Sequence, residues 1–402
     1  MDLPLSEFEL AAKRLAPMLH HTELDLSSTF SAMTGGSIYL KCENRQKTGS
    51  FKIRGASNKI AALMENGGVS SVVASSAGNH AQGVACAAKK FGIPATIVMP
   101  KTAPIAKVQA TEGYGAKVVL AGDCYDDAYK AACDICETEH ATFLHPYNDL
   151  DVIAGQGTLG LEIVGDLPTV DMIIVPAGGG GLLAGVAACV KQINPRIEVI
   201  GVQAEGASAI AQSFKAKKYI STDTVSTIAD GIAVKAPGDI TVELINRYAD
   251  NVVTVTDNEI SEAILLLMER CKQIVEPSGA TPVAAVLKGK VDVKGKRVVC
   301  LLSGGNIDVS FIQCIIEQGL VARHRRLRFT VKLLDKPGSL SQLLNHIADQ
   351  GANIVSVAHD RLSTALSPNE TNVSITCEVG GAEHGKAVVS SLENFGYTVT
   401  IN

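Results

Sequence analysis

The chain has 402 residues, enough for two or three domains of roughly 100–200 residues each and for cores that need no disulfide support. Its 36 Lys+Arg against 41 Asp+Glu leave a net charge of −5, which excludes a global basic excess for binding nucleic-acid phosphates or an anionic membrane surface. With 46% hydrophobic residues, 4% aromatics, no tryptophan and 37 glycines, the composition favours closely packed α/β units acting on small molecules over a base-stacking platform.

Met1-Asp2-Leu3-Pro4 has no basic stretch followed by an apolar run, so no signal peptide is expected, and the ten cysteines are expected as reduced thiols in the cytoplasm. Ser6 with Glu9 reads as a capping box opening the first helix. From there to about residue 320, short β-branched runs at 72–74, 96–98, 117–120, 172–175, 199–202 and 298–302 alternate with alanine-rich periodic stretches. That alternation predicts mostly parallel sheets covered by helices on both faces. Residues 172–190 are uncharged over about the length of a membrane span, but Pro176 and the glycines 178–181 interrupt them, which predicts strand, turn and helix.

Near residue 320 the composition shifts to a basic cluster, Arg323, His324, Arg325, Arg326 and Arg328, read as a linker at 321–326. Beyond it the pattern predicts a strand at 327–334, a turn at Asp335-Lys336-Pro337-Gly338-Ser339 into a helix through 350, and a strand at 353–359. A further strand (373–379), helix (383–395) and strand (398–401) complete a β-α-β-β-α-β order, the ferredoxin-like layout.

Four segments carry chemistry. Pro176-Ala177-Gly178-Gly179-Gly180-Gly181-Leu182 lies between a strand and an apolar helix, where bare amides and the helix N-terminus suit a phosphate. Gly179, Gly181 and Ala184 also satisfy G-x-G-x-x-A with Glu205 about 20 residues on, so a dinucleotide dehydrogenase stays open. Thr48-Gly49-Ser50-Phe51-Lys52-Ile53-Arg54-Gly55 sets a lysine at a helix start among further cations, conditions that lower an amine pKa toward what a Schiff-base lysine needs. Ser75-Ser76-Ala77-Gly78-Asn79-His80 follows a strand and offers amides and a carboxamide to an anion, while Ser303-Gly304-Gly305-Asn306 puts a hydroxyl at the carboxyl end of a strand, where open α/β sheets bind ligands.

In this order and spacing the segments resemble the fold-type II pyridoxal-phosphate enzymes, and within them the threonine dehydratase family. Glu43-Asn44-Arg45-Gln46-Lys47-Thr48-Gly49-Ser50-Phe51-Lys52 and Ser76-Ala77-Gly78-Asn79-His80-Ala81-Gln82-Gly83 carry the likeness, with His145-Pro146-Tyr147, Ala229-Asp230-Gly231 and the Ser303 segment as further matches. The resemblance implies two doubly wound α/β subdomains over residues 1–320, the smaller at about 50–150, and conversion of L-threonine to 2-oxobutanoate and ammonia with slower use of L-serine. It implies that Lys52 carries the cofactor and acts as base, that Phe51 packs on the pyridine ring, and that Asn79 bonds the phenolic oxygen. Gly178, Gly179, Gly180, Gly181 and Leu182 would hold the phosphate, itself the acid for the leaving hydroxyl, and Ser303 the ring nitrogen. A hydroxyl there makes a milder electron sink than a carboxylate, which suits elimination over transamination. Ser76, Ala77, Asn79 and His80 would line the substrate carboxylate.

Serine racemases of this type carry a second acid/base serine immediately before Gly-Asn-His. Here that position is Ala77, which argues against racemisation. Relatives with a divalent-metal site pair a carboxylate matching Glu205 with another acid a turn later, where this chain has Ala211, so no metal is expected. Residues 327–402 resemble an ACT domain, an amino-acid-sensing module, with Gly338 and Asn353 as effector contacts. Isoleucine or valine, bound between paired C-terminal domains, is the expected effector, and AMP, acting near the catalytic domain, the second candidate. A homodimer or homotetramer is expected by likeness, with no nucleic-acid or membrane partner. L-serine dehydratase and serine racemase remain the alternative enzymes, and an amino-acid-binding regulator the non-enzyme alternative.

Two other patterns are weaker. Cys133, Cys136 and His140 fall at i, i+3 and i+7 of an expected helix, but no fourth zinc ligand is apparent and core-facing thiols are expected. Residues 380–386 imitate G-x-x-x-x-G-K, yet Ala387 replaces the Ser/Thr that would hold magnesium, and no strand-loop-helix context is expected before it.

Overall fold

A computed structural model describes residues 3–361 and 367–401, and the chain divides into two compact units, Met1–Ile307 and Asp308–Asn402. In the first unit, β1 (Leu24–Leu26), β2 (Ser37–Lys41), β7 (Met172–Pro176), β8 (Glu198–Ala204), β9 (Asn251–Val255) and β10 (Arg297–Leu301) form a sheet of order β1-β2-β10-β7-β8-β9. All its pairings are parallel except β1 on β2. A second, wholly parallel sheet, order β5-β4-β3-β6, holds β3 (Val72–Ser75), β4 (Ala95–Met99), β5 (Lys117–Leu120) and β6 (Thr142–Phe143).

Both sheets are helix-covered on two faces, which explains their continuous apolar strands. In β3 and β4, Val72, Ala74, Ile97 and Met99 join a core with the helices Lys52–Glu65 and Asn79–Phe91, whereas Val73 and Val98 pack on Ala128 and Ala132 of the opposite-face helix Tyr125–Glu139. In the larger sheet Ile173, Val175, Val299 and Leu301 face the helices Leu150–Asp166 and Gly181–Ile193. The uncharged stretch 172–190 is therefore strand, turn and helix, and no described helix is long and apolar enough to cross a membrane.

The second unit pairs β11 (Arg326–Leu334), β12 (Asn353–Asp360), β13 (Glu370–Glu378) and β14 (Val399–Ile401) antiparallel in the order β12-β13-β11-β14. The helices Ser339–Asp349 and Ala382–Asn394 close its core through Leu343, Ile347, Val388 and Leu392, completing the ferredoxin-like layout. The expected boundary at 320 falls inside this unit. The helix Val309–Ala322 lies against β11 and so groups with the second unit.

Three local expectations are corrected. The first helix, Leu5–Leu15, starts before Ser6, because the extended Pro4 already accepts the Glu7 amide (3.0 Å) and no side chain caps it. His140 is no helix-face residue but the left-handed C-cap (φ 51°), and of the two half-buried thiols Cys136 packs on the core of Val73, Val98, Ala128 and Ala132 as expected. The 380–386 segment does lie between a strand and a helix, but there the Gly380 amide is taken by His384 Nδ1 at 2.9 Å.

Candidate active site

Three of the four expected segments leave the carboxyl ends of β3, β7 and β10, the edge at which parallel sheets expose free main-chain groups. After β7, Ala177 still donates to Val202 (2.9 Å), and then the chain turns into the helix Gly181–Ile193. Gly180 adopts φ +97° there, so a side chain would be strained. Tyr147 lies against the loop so closely that a Cβ on Gly179 would come within 2.4 Å of its ring. Thr241 fixes the loop from below by donating to the Gly179 carbonyl (2.7 Å). Among the described residues, the amides of residues 178–182 donate to no protein acceptor, so the helix N-terminus presents a cluster of free N–H groups suited to a phosphate dianion.

The lysine segment is zipped to the β10 segment. Phe51 donates to the Ser303 carbonyl (3.0 Å), Gly305 donates to Gly49 (2.9 Å), and Ser50 bridges Gly304. The helix Lys52–Glu65 begins immediately after, so Lys52 is anchored where its side chain leaves the backbone. Its Nζ donates to the Pro146 carbonyl at 2.9 Å and lies 5.3 Å from the Phe51 ring centroid. Pro146 adjoins Tyr147, so a single loop touches both the amine and the phosphate cradle.

Burial lowers the Lys52 amine to about 8, with the Glu276 carboxylate pulling the other way. Two imidazoles beside it stay neutral. Burial holds His80 at about 3, and its Nε2 donates to the Leu144 carbonyl (2.9 Å). Burial and the Lys52 charge hold His145 at about 4, with Nδ1 accepting the amides of Tyr147 and Asn148 (3.3 and 2.8 Å). His80 Nδ1 is buried without a partner.

Asn79 opens the helix Asn79–Phe91 and is held from two sides. Asn306 Nδ2 donates to its Oδ1 (2.7 Å) and to the Thr48 carbonyl (2.8 Å), while Asn79 Nδ2 lies 2.9 Å from both carboxylate oxygens of Glu276. Sequence reasoning missed Glu276, because a glutamate just before Pro277 at a helix start reads as an ordinary terminus. In the fold it is 4% exposed, burial raises it to about 7, and its amide donates to Gly304 (3.0 Å). Ser303 is buried beside it, and the buried Ser278 hydroxyl has no partner. Ser76 accepts the Gly78 amide (3.2 Å), and Ser76 and Ala77 are half-buried at the end of β3.

The residues expected at one centre are thus tied together: Phe51 to Ser303, Lys52 to Pro146, Asn79 to Glu276 and Asn306, and the glycine loop to Tyr147. Gly178 also packs on Ile232, while the adjacent Gly231 faces Ser278 and Glu276. Gly338 and Asn353 do not meet. Gly338 lines a cleft with residues 333–340, His359, Arg361 and Thr371, whereas Asn353 sits at the far end of β12, bonded to Glu378 (3.2 Å).

Residues 16–304 match the family model described as pyridoxal-phosphate dependent enzyme. The chain belongs to that family. It is 48% identical over 399 residues to an L-threonine ammonia-lyase of Thermotoga maritima, covering 99% of each chain. Over 320 residues, 79% of this chain and 92% of the relative, it is 48% identical to the catabolic L-threonine dehydratase of Staphylococcus aureus. The structure of maize serine racemase superposes with a TM-score of 0.75 at 37% identity, covering 81% of this enzyme and all of that one. The residues fit pyridoxal phosphate: free amides for its phosphate, a buried amine for its aldehyde carbon, and buried hydroxyls at Ser278 and Ser303. Family membership also settles the dinucleotide alternative in favour of this cofactor.

Proposed function

We propose that this enzyme dehydrates and deaminates L-threonine to 2-oxobutanoate and ammonia, with slower turnover of L-serine. The carrying observation is the pairing of one buried amine, Lys52, with Ala77 at the position where a racemase has its second base. The named L-threonine ammonia-lyase relative, alike over its whole length, supports the substrate.

Bound in the cleft, pyridoxal phosphate supplies an electron sink for the charge left on the substrate Cα. The free N–H groups of residues 178–182 would hold its phosphate, Phe51 its ring face, Asn79 its phenolic oxygen and Ser303 its ring nitrogen. The amides and side chains of Ser76, Ala77, Asn79 and His80 at the helix N-terminus suit the substrate carboxylate. Lys52, its pKa lowered by burial, takes the Cα proton, and the β-hydroxyl departs as water on a proton that the phosphate held by residues 178–182 would supply. The resulting enamine tautomerises and takes up water, releasing ammonia and 2-oxobutanoate. With a single base no proton returns to the opposite face of Cα, which disfavours the racemase reading despite the likeness to maize serine racemase.

The second unit is read as an ACT-type module that binds isoleucine or valine between paired copies, and AMP, the second candidate effector, would act near the catalytic unit instead. Its cleft of about 400 Å³ at Gly338 carries an Arg361–Asp335 ion pair of 2.9 Å suited to amino-acid polar groups. Because Gly338 and Asn353 lie at opposite ends of one sheet, a ligand touching both needs a second copy, in keeping with a homodimer or homotetramer. Ten unpaired cysteines suit a cytoplasmic setting. Borohydride reduction of the protein loaded with pyridoxal phosphate, followed by peptide mass analysis, tests the cofactor role. A pyridoxyl adduct on Lys52 is expected, and an adduct elsewhere, or none, overturns it.

A further inference from the structure

Glu276 is not used by the chemistry above, yet it is buried in the middle of the residues that perform it. An amide nitrogen carries two hydrogens. The contact of Asn79 Nδ2 with both Glu276 oxygens, 2.9 Å each, is a bifurcated grip that engages one of them, while Asn306 fixes the carbonyl end of the same amide at 2.7 Å. Asn79 therefore cannot flip, and one N–H remains to be aimed.

The carboxylate is equally confined. It fills the space left by two glycines: a Cβ on Gly304 would come within 2.5 Å of its Oε1 and one on Gly231 within 3.6 Å, so it lies close against both stretches of backbone while bonded to Asn79. We propose that Glu276 is a positioning residue of the cofactor site, gripping Asn79 against Asn306 so that its second N–H is directed at the cofactor, and keeping its carboxyl group within electrostatic reach of the Lys52 nitrogen. This rests on the pyridoxal-phosphate reading of the site.

The charged groups that face Glu276 are Lys52 from its own helix, Asp230 from the turn Asp230–Ile232, and Lys107 from the helix Ile105–Gly113. Asp230 opposes its ionisation, and both lysines favour it. In return, ionised Glu276 favours the protonated Lys52 nitrogen. Loss of that negative charge lowers the proton affinity of the nitrogen.

The test uses wild type, Glu276→Gln and Glu276→Ala, each loaded with pyridoxal phosphate. Glutamine keeps an oxygen for the Asn79 N–H but not the charge, whereas alanine removes both. In both variants the pH midpoint of the cofactor's near-visible absorbance should fall by about one unit or more relative to wild type. The cofactor dissociation constant, titrated on apoenzyme, should rise about tenfold in Glu276→Ala and less than about threefold in Glu276→Gln. A wild-type midpoint in Glu276→Gln overturns the proposal, as does undiminished cofactor affinity in Glu276→Ala. Should the alanine variant fail to fold, the glutamine midpoint alone decides. If wild type itself takes up no cofactor, the pyridoxal-phosphate reading fails first, and the outcomes stay distinguishable.

Discussion

Arg54 lays Nε and Nη2 on the two carboxylate oxygens of Glu43, each at 2.8 Å, and neither side chain is more than 1% exposed. Its remaining nitrogen reaches Glu162 (2.6 Å) and Thr158 (3.2 Å), and Glu43 also accepts the Thr22 hydroxyl (2.6 Å). The pair binds the first turn of the Lys52 helix to the turn after β2 and to the helix Leu150–Asp166.

A buried pair of this kind costs most when it is halved, because the surviving charge has no water to turn to. Arg54→Met or Glu43→Leu alone should lower unfolding free energy by about 3–5 kcal/mol. The double variant should lose clearly less than the sum. Denaturant midpoints on all four proteins check this.

The Lys52 amine gives a pH prediction for the apoprotein. Its folded pKa, about 8, lies below the ordinary 10.5, so between those values the unfolded chain binds more protons and stability rises with pH. Lys52→Met should therefore be more stable than wild-type apoprotein below pH 8, by about 3 kcal/mol for the fall from 10.5 to about 8. The advantage should vanish above pH 10.5. Thermal melts at pH 7 and at pH 10.5 or above give the comparison, and equal differences at both would contradict it.

Most of the site was legible because its parts are local. A glycine run between a strand and a helix, a lysine opening a helix and a hydroxyl after a strand each follow from neighbouring residues, and the spacing of Lys52, Asn79, Gly178 and Ser303 pointed to one cofactor. Glu276 was illegible because burial, which gives it its character, comes from Asn79, Gly231 and Gly304, residues distant in the chain or on other elements. Gly338 and Asn353 flank the same helix in sequence, and because β11 and β12 both run antiparallel to β13 that helix crosses from one end of the sheet to the other, so one ligand can reach both only between paired copies of the domain. The domain boundary shifted because composition changes at the basic cluster, while packing changes one helix earlier.

Ala77→Ser should introduce D-serine formation from L-serine, provided the hydroxyl reaches the face of Cα opposite Lys52. Chiral chromatography of the products measures it. Absence of D-serine in a variant that still deaminates would show that the single-base argument is incomplete.

Removal of residues 327–402 should leave an active enzyme, in keeping with a Staphylococcus aureus relative matched over only 320 residues of this chain. Full-length enzyme should change its threonine affinity with isoleucine or valine by a coupling of about 1–3 kcal/mol, and the truncated form should not respond. Kinetics of the full-length enzyme that are unchanged by every branched-chain amino acid and by AMP, with no binding in calorimetry, would leave the second unit an assembly module.

The most direct measurement is the initial rate of 2-oxobutanoate formation from L-threonine by the cofactor-loaded enzyme, beside Lys52→Ala loaded in the same way. The account predicts turnover by wild type and a fall of at least about a thousandfold in the variant, since both the covalent anchor and the base are gone. No 2-oxobutanoate from wild type, or a folded variant that retains more than about a thousandth of the rate, would contradict it.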